Sequence, residues 1–114
     1  MNSSYPHILK FLQDNNIDYE IIEHEPVFTS KQAGAVRGIS ESAGAKSLLL
    51  KADKDFLLVI LPGNRRLDSK KLKQLLALKN LRFAMPLEVQ EVMGCEIGSC
   101  YPFGNLIGVE MMVD

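Results

Sequence analysis

Residue types that build disulfide frameworks and metal sites are scarce in this chain. Two cysteines and two histidines among 114 residues are too few for a disulfide framework and do not complete a zinc knuckle. No stretch is long and apolar enough to span a bilayer, and the N-terminus lacks the basic region followed by an apolar region that directs export. We therefore expect no metal or other cofactor, no membrane partner, and a cytoplasmic protein with reduced thiols.

The composition is that of a globular protein. With 46% hydrophobic and 24% charged residues, residues 1–114 are predicted to form one domain with a single core. The net charge of −1 does not by itself identify a type of partner. The charges are, however, unevenly distributed along the sequence: from Pro62 to Phe83 there are seven basic residues and one acid, Asp68. This segment is either a solvated helix face or a phosphate-binding surface.

The N-terminal part predicts a helix, a strand and a second, short helix. Apolar residues follow helical spacing from Tyr5 to Asn15. Imperfect alternation from Asp18 to His24 predicts a strand, which Pro26 ends. Thr29 and Gln32 then have the spacing of a capping box, which predicts that a helix starts there.

Two apolar runs dominate the middle of the chain. Lys46 to Ala52 and Phe56 to Leu61 are joined by Asp53-Lys54-Asp55. Continuous apolar runs of this length, separated by a turn, are typical of an antiparallel hairpin that is buried on both faces. We expect them to be the central strands.

A helix is predicted to follow the hairpin. Asp68 is a plausible N-cap for a helix that continues to about Ala77. Its leucines would form a stripe against the core and its lysines would face outward. The predicted stripe consists of Leu72, Leu75 and Leu76.

The remaining elements complete an α+β pattern. Leu81 to Ala84 could be a short strand, and Pro86 is suited to the first position of a helix that runs to Met93 and stops at Gly94. Asn105 to Val113 is predicted to be a strand. The order of elements predicts an α+β fold, with a mixed, largely antiparallel sheet covered by helices.

Lys46 and the loop from Gly98 to Gly104 are the candidate site. Lys46 stands where a strand begins, so its ammonium could reach an anion at the end of that strand, although a lysine there could also be an ordinary surface residue. The loop contains two glycines and a proline, which allow a backbone to approach a ligand closely. The same composition also suits a simple tight turn.

Four segments in this order resemble a known family. They are His24-Glu25-Pro26-Val27-Phe28-Thr29 with Gln32-Ala33, Ala45-Lys46-Ser47-Leu48-Leu49-Leu50, Leu61-Pro62-Gly63-Asn64-Arg65-Arg66-Leu67-Asp68, and the Gly98 to Gly104 loop. Together they resemble the YbaK/prolyl-tRNA-synthetase-associated domains, which hydrolyse wrongly charged aminoacyl-tRNA. The resemblance spans most of the chain and implies the fold of those domains.

The resemblance also implies roles for individual residues. It assigns Lys46 to the phosphate of the terminal adenosine or to the ester, and the loop backbone around Gly98 to the aminoacyl group. Lys46 and Gly98 are therefore the expected catalytic residues. The expected substrate-binding residues are His24, Thr29, Ser99, Cys100, Tyr101, Pro102, Phe103 and Gly104. The expected tRNA-binding residues are Arg65, Arg66, Lys70, Lys71 and Lys73.

Two of these residues have alternative interpretations. Cys100 could be a nucleophile, but we prefer a small residue that lines the pocket, because in the family the vicinal hydroxyl of the terminal ribose is thought to assist the water. His24 could be a general base. An isolated histidine at the end of a strand is, however, more often structural.

The implied function is hydrolysis of mischarged tRNA in trans, without a metal. The expected substrates carry alanine, cysteine or serine, with proline tRNA as the carrier. The partner is the tRNA 3′ end, with an aminoacyl-tRNA synthetase as a second candidate and no role for DNA. Family members usually continue past the equivalent of Asp114, so we also consider a shortened variant, and a non-catalytic module that binds tRNA or a synthetase is the alternative. A metal-dependent or metabolite-binding hydrolase has little support.

Overall fold

A four-stranded mixed sheet is the centre of the structure. The computed structural model describes residues 5–18, 35, 44–96 and 100–113. Its elements are α1 (Tyr5–Asp14), β1 (Ala45–Ala52), β2 (Asp55–Pro62), α2 (Ser69–Leu75), β3 (Leu81–Phe83), α3 (Pro86–Met93), a 3-10 helix (Gly104–Leu106) and β4 (Glu110–Val113). The strand order is β3-β1-β2-β4. This is the α+β fold with a mixed, largely antiparallel sheet that the sequence predicts.

The central hairpin is confirmed. β1 and β2 pair antiparallel along their whole length, from Ala45 with Pro62 to Ala52 with Asp55. The turn residue Asp53 has a φ of 52°, and its Oδ1 accepts hydrogen bonds from the backbone N–H groups of Lys79 (3.0 Å) and Asn80 (2.7 Å). The hairpin turn is therefore tied to the segment that leads into β3.

Both faces of the hairpin are buried, which explains why its sequence is continuously apolar. Successive side chains of a strand point to opposite faces. Leu49 and Leu58 belong to a core cluster on the face covered by α3. Leu50 and Leu57 belong to a second cluster, on the face covered by α2 through Leu72.

The predicted leucine stripe of α2 is only partly correct. Asp68 caps the helix as expected, accepting the backbone N–H of Lys71 at 3.0 Å, and Leu72 is buried. Leu75 and Leu76, however, are 68% and 39% exposed. The helix ends at Leu75 and the chain leaves it through Ala77 in the left-handed region, so only one turn reaches the sheet.

The two predicted elements around Pro86 are confirmed. β3 pairs antiparallel with β1. Helix α3 begins at Pro86 and ends before Gly94, whose φ of 67° is the left-handed conformation that glycine adopts without strain. Val89 and Met93 on this helix are almost fully buried, so α3 forms the layer over the first core cluster.

The predicted strand from Asn105 to Val113 is only partly correct. Residues 104–106 are a 3-10 helix instead, and the backbone N–H groups of Ile107 and Val109 both donate to the carbonyl of Gly104 (3.1 and 3.0 Å). Gly108 then takes a φ of 66°. Only Glu110–Val113 forms a strand, which pairs parallel with β2. The predicted strand from Asp18 to His24 and the predicted helix at Thr29 lie outside the described residues.

An ion pair connects β3 to α3. The guanidinium of Arg82 donates to both carboxylate oxygens of Glu88, at 2.7 and 3.0 Å. Glu88 also accepts the backbone N–H of Met85 at 2.8 Å, which satisfies one of the free donors at the start of α3. The hydrogen bonds from Arg82 and then from Met85 lower the pKa of Glu88 to about 2.

We expect Glu88→Gln to lower stability in a pH-dependent way. The folded-state pKa lies below the ordinary value of 4.5, so the charged carboxylate stabilises the fold above that pH, and the contribution is lost as the pH falls toward 2. The free energy of unfolding of the variant should be lower than that of the wild type at pH 7, and the two should converge at low pH. Denaturant titrations between pH 7 and 2 would measure this, with Glu91→Gln on the same helix as the control. Identical pH profiles for the two variants would contradict the assignment.

Candidate functional site

Lys46 lies at the end of the central hairpin. It is the second residue of β1 and pairs with Leu61 near the end of β2. At this end the backbone N–H of Gly63 donates to the carbonyl of Gly44 at 2.7 Å, which closes the hairpin beyond Lys46. The side chain of Lys46 is partly buried, and its position at the sheet end is the one the sequence predicts.

The predicted tRNA-binding residues begin at the same end of the sheet. After β2 the chain turns, with the N–H of Arg65 donating to the carbonyl of Pro62 at 3.0 Å. Arg65 and Arg66 are exposed directly after this turn. Lys46 therefore pairs with a residue, Leu61, that precedes Arg65 and Arg66 by only a few positions in the sequence. Lys46 and the start of the basic segment lie at the same end of the sheet.

The lysines of α2 continue this basic surface. Lys70, Lys71 and Lys73 are exposed, while Leu72 between them is buried. At 100° per residue, each lysine lies about 100° or more around the helix from Leu72. The helix thus presents its cations to solvent and its single buried leucine to the sheet.

The described part of the predicted loop packs on the other face of the sheet. Cys100, Tyr101 and Phe103 all contact the core cluster under α3. Tyr101 is 6% exposed, and its hydroxyl donates to the carbonyl of Met93 at 2.9 Å. Burial raises the pKa of Tyr101. Its ring is therefore part of the core, with its polar end already bonded.

The other loop residues differ in their surroundings. Pro102 is exposed, and the ring of Phe103 packs against Phe11 of α1 with 5.2 Å between ring centroids. A Cβ added to Gly104 would lie 2.5 Å from the carbonyl oxygen of Val109 and 2.6 Å from Cγ of Met111. Gly104 is thus required for close packing against the segment that leads into β4.

The described residues do not place Lys46 and the aromatic loop residues on one face. Alternation along β1 puts Lys46 on the face of Leu48 and Leu50, which pack with α2. Tyr101 belongs to the opposite cluster. A pocket shared by both would have to extend across the end of the sheet. The remaining predicted site residues, which are His24, Thr29, Gly98 and Ser99, lie outside the described residues.

A cavity that the sequence did not indicate lies beside the loop. It has a volume of about 350 Å³ and is lined by His7, Val92, Met93, Gly94, Tyr101, Leu106 and Ile107. Its walls carry both apolar and polar surface, including one imidazole from α1. No local pattern could have predicted it, because His7 comes from the opposite end of the chain.

The two cysteine thiols contact each other. Cys95 is 1% exposed within the core cluster, and the partly buried Cys100 packs against the same cluster. The hydrogen bond between the two thiols, together with burial, raises the pKa of Cys95. Neither cysteine forms a disulfide. Spacing along the chain did not predict this contact.

The described segments show neither a metal-binding cluster nor a membrane-spanning helix. Residues 5–18, 44–96 and 100–113 contain no group of three or more His, Cys, Asp or Glu side chains that could hold a metal ion. Within the same segments, no helix has the length and apolar character needed to cross a membrane.

Several characterised proteins are similar to this chain. It is 38% identical over 92 residues to a proline–tRNA ligase of Bacillus licheniformis, which covers 80% of this chain and 16% of that enzyme. It is 26% identical over 115 residues to the multifunctional Ser/Thr-tRNA deacylase ProXp-y of Escherichia coli, covering 97% of this chain and 69% of that protein. The chain therefore spans only about a sixth of the ligase that it matches.

A solved structure and a family model agree with these relatives. The crystal structure of a candidate trans-editing enzyme for prolyl tRNA synthetase superposes with a TM-score of 0.82 at 27% identity, covering 100% of this chain and 73% of that one. The model of the aminoacyl-tRNA editing domain matches residues 24–114. Because this match includes most of the chain, the protein belongs to the aminoacyl-tRNA editing domain family.

Proposed function

We propose that this protein is an aminoacyl-tRNA deacylase that hydrolyses the ester of mischarged tRNA in the cytoplasm. Membership of the editing-domain family supports hydrolysis. The observation that carries the proposal for this chain is the position of Lys46 at the sheet end where the exposed basic segment begins. That arrangement suits a nucleic acid end whose phosphates lie along α2 and whose terminal ester lies near Lys46.

The chemistry requires few protein groups. Water attacks the ester carbonyl carbon, the carbonyl oxygen becomes an oxyanion, and the bond from that carbon to the ribose oxygen breaks. The ribose oxygen takes a proton, which leaves a free amino acid and an uncharged tRNA. Lys46 would orient the terminal nucleotide, backbone N–H groups around Gly98 and Ser99 would stabilise the oxyanion, and the vicinal ribose hydroxyl would hold the water.

The aminoacyl group is proposed to lie against the loop. Cys100 and Pro102 would contact a small side chain, with His24, Thr29 and Gly104 bordering it. Tyr101 and Phe103 would act by holding the loop, because the hydroxyl of Tyr101 and the ring of Phe103 already have partners. Alanine, cysteine and serine on proline tRNA are the proposed substrates. A methyl or thiol difference is worth only about 1–3 kcal/mol in such a pocket.

Lys46→Ala is expected to lower the deacylation rate by about 100-fold, because a terminal nucleotide that Lys46 no longer orients leaves the ester misplaced for attack. Initial rates on alanyl-, cysteinyl- and seryl-tRNA for proline would be measured at catalytic protein concentration. Lys51→Ala is the matched control. Lys51 lies on the same strand, but its ammonium packs over the ring of Phe56 at 4.4 Å and donates to the carbonyl of Lys54.

The control should keep the wild-type rate. Equal rates for Lys46→Ala and the wild type on the substrate that is hydrolysed would refute the role of Lys46. If the wild type hydrolyses none of the esters but binds tRNA in a salt-dependent way, the alternative of a non-catalytic binding module would be supported instead.

The basic face of α2 has its own test. Lys70→Gln/Lys73→Gln should weaken tRNA binding and make it less sensitive to salt. The binding constant K falls as the salt concentration rises. Loss of two phosphate contacts makes the slope of log K against log salt concentration shallower by roughly 1 to 2. The control Lys10→Gln/Lys54→Gln removes the same charge from exposed lysines elsewhere and should leave the slope unchanged. Equal slopes for the two double variants would show that α2 does not contact the tRNA.

A further inference from the structure

Cys95 and Cys100 are held together by the structure around them. Cys95 follows the end of α3, in the core beside Met93. Cys100 precedes Tyr101, whose hydroxyl bonds the carbonyl of Met93 at 2.9 Å. This hydrogen bond ties the two segments together next to both sulfurs. The packing of these two segments therefore holds the two thiols in contact.

The two thiols differ in their exposure to solvent. Cys95 is 1% exposed, whereas Cys100 is partly exposed. The hydrogen bond to Cys100 and burial both raise the pKa of Cys95, so the buried thiol keeps its proton. A peroxide in solvent therefore meets the sulfur of Cys100 first, and the thiolate is the reactive form of a cysteine.

We propose that Cys100 is a site of oxidation by hydroperoxides and that Cys95 is its resolving thiol. The Cys100 thiolate attacks one peroxide oxygen, the O–O bond breaks, and the departing oxygen leaves as hydroxide or water. Sulfur loses two electrons and becomes a sulfenic acid, while the peroxide is reduced. The proposal does not depend on the deacylase function.

The second step uses the neighbouring thiol. The sulfur of Cys95 attacks the sulfur of Cys100, an S–S bond forms, the S–O bond breaks, and the oxygen leaves as water with the proton of Cys95. Overall, two thiols and one hydrogen peroxide give one disulfide and two waters. A dithiol reductant reduces this disulfide back to the two thiols. The new bond joins the two ends of residues 96–99, the stretch that contains Gly98.

The chain offers a direct chemical test. Reduced protein is treated with a slight excess of hydrogen peroxide, then denatured, alkylated and cut with a glutamate-specific protease. Glu96 lies between the two cysteines and no other glutamate does, so cleavage there separates Cys95 from Cys100 unless a disulfide joins them. We expect both thiols to be lost from alkylation and the two peptides to stay linked until dithiothreitol is added.

Two variants test the order of the steps. In Cys95→Ala, the sulfenic acid of Cys100 has no resolving thiol, so labelling by dimedone should persist. In Cys100→Ser, the buried Cys95 should stay reduced under the same treatment. If a variant fails to fold, the peroxide treatment of the wild-type protein still tests whether the disulfide forms. Full alkylation of both thiols after peroxide, disulfides only between chains, or oxidation of Cys95 in Cys100→Ser at the wild-type rate would each overturn the proposal.

Discussion

The antiparallel pairing of β1 with β2 is the interaction on which the rest of the structure depends. Eight residue pairs align without a bulge, so every side chain of both strands has a defined face. One face forms the core with α3 and the segment from Cys100 to Val109, and the other forms the core with α2. A shift of one residue in this register would exchange the two sets of leucines and misplace both cores.

The same register connects the scaffold to the site. Lys46 faces the α2 side because it is an even number of residues from Leu48 and Leu50, and it lies near Arg65 because it pairs with Leu61. The basic surface and the proposed catalytic lysine are thus joined through one hairpin. On the opposite face, Tyr101 links the end of α3 to the loop through a single hydrogen bond. That bond positions the cysteine pair and one wall of the cavity beside His7.

Membership of the editing-domain family and the geometry of this chain support different parts of the proposed function. The family model covers residues 24–114 and supports the chemistry, while the described residues give the placement of the charges. The oxidation site, in contrast, follows only from the packing of two side chains. It would couple the redox chemistry of the surroundings to the loop proposed to hold the aminoacyl group.

The sequence by itself determined the elements whose signals are local. The continuous apolar runs predicted the hairpin. Asp68, Gly94 and the proline at the start of α3 predicted three helix boundaries. Each of these signals depends on a few adjacent residues. Leu75 and Leu76 were misassigned because helical spacing does not reveal how much of a helix reaches a sheet. Only the tertiary structure decided the parallel pairing of β4, the opposite faces of Lys46 and Tyr101, and the contact of Cys95 with Cys100. Each of these depends on segments brought together by long-range packing, which no local pattern of residues records.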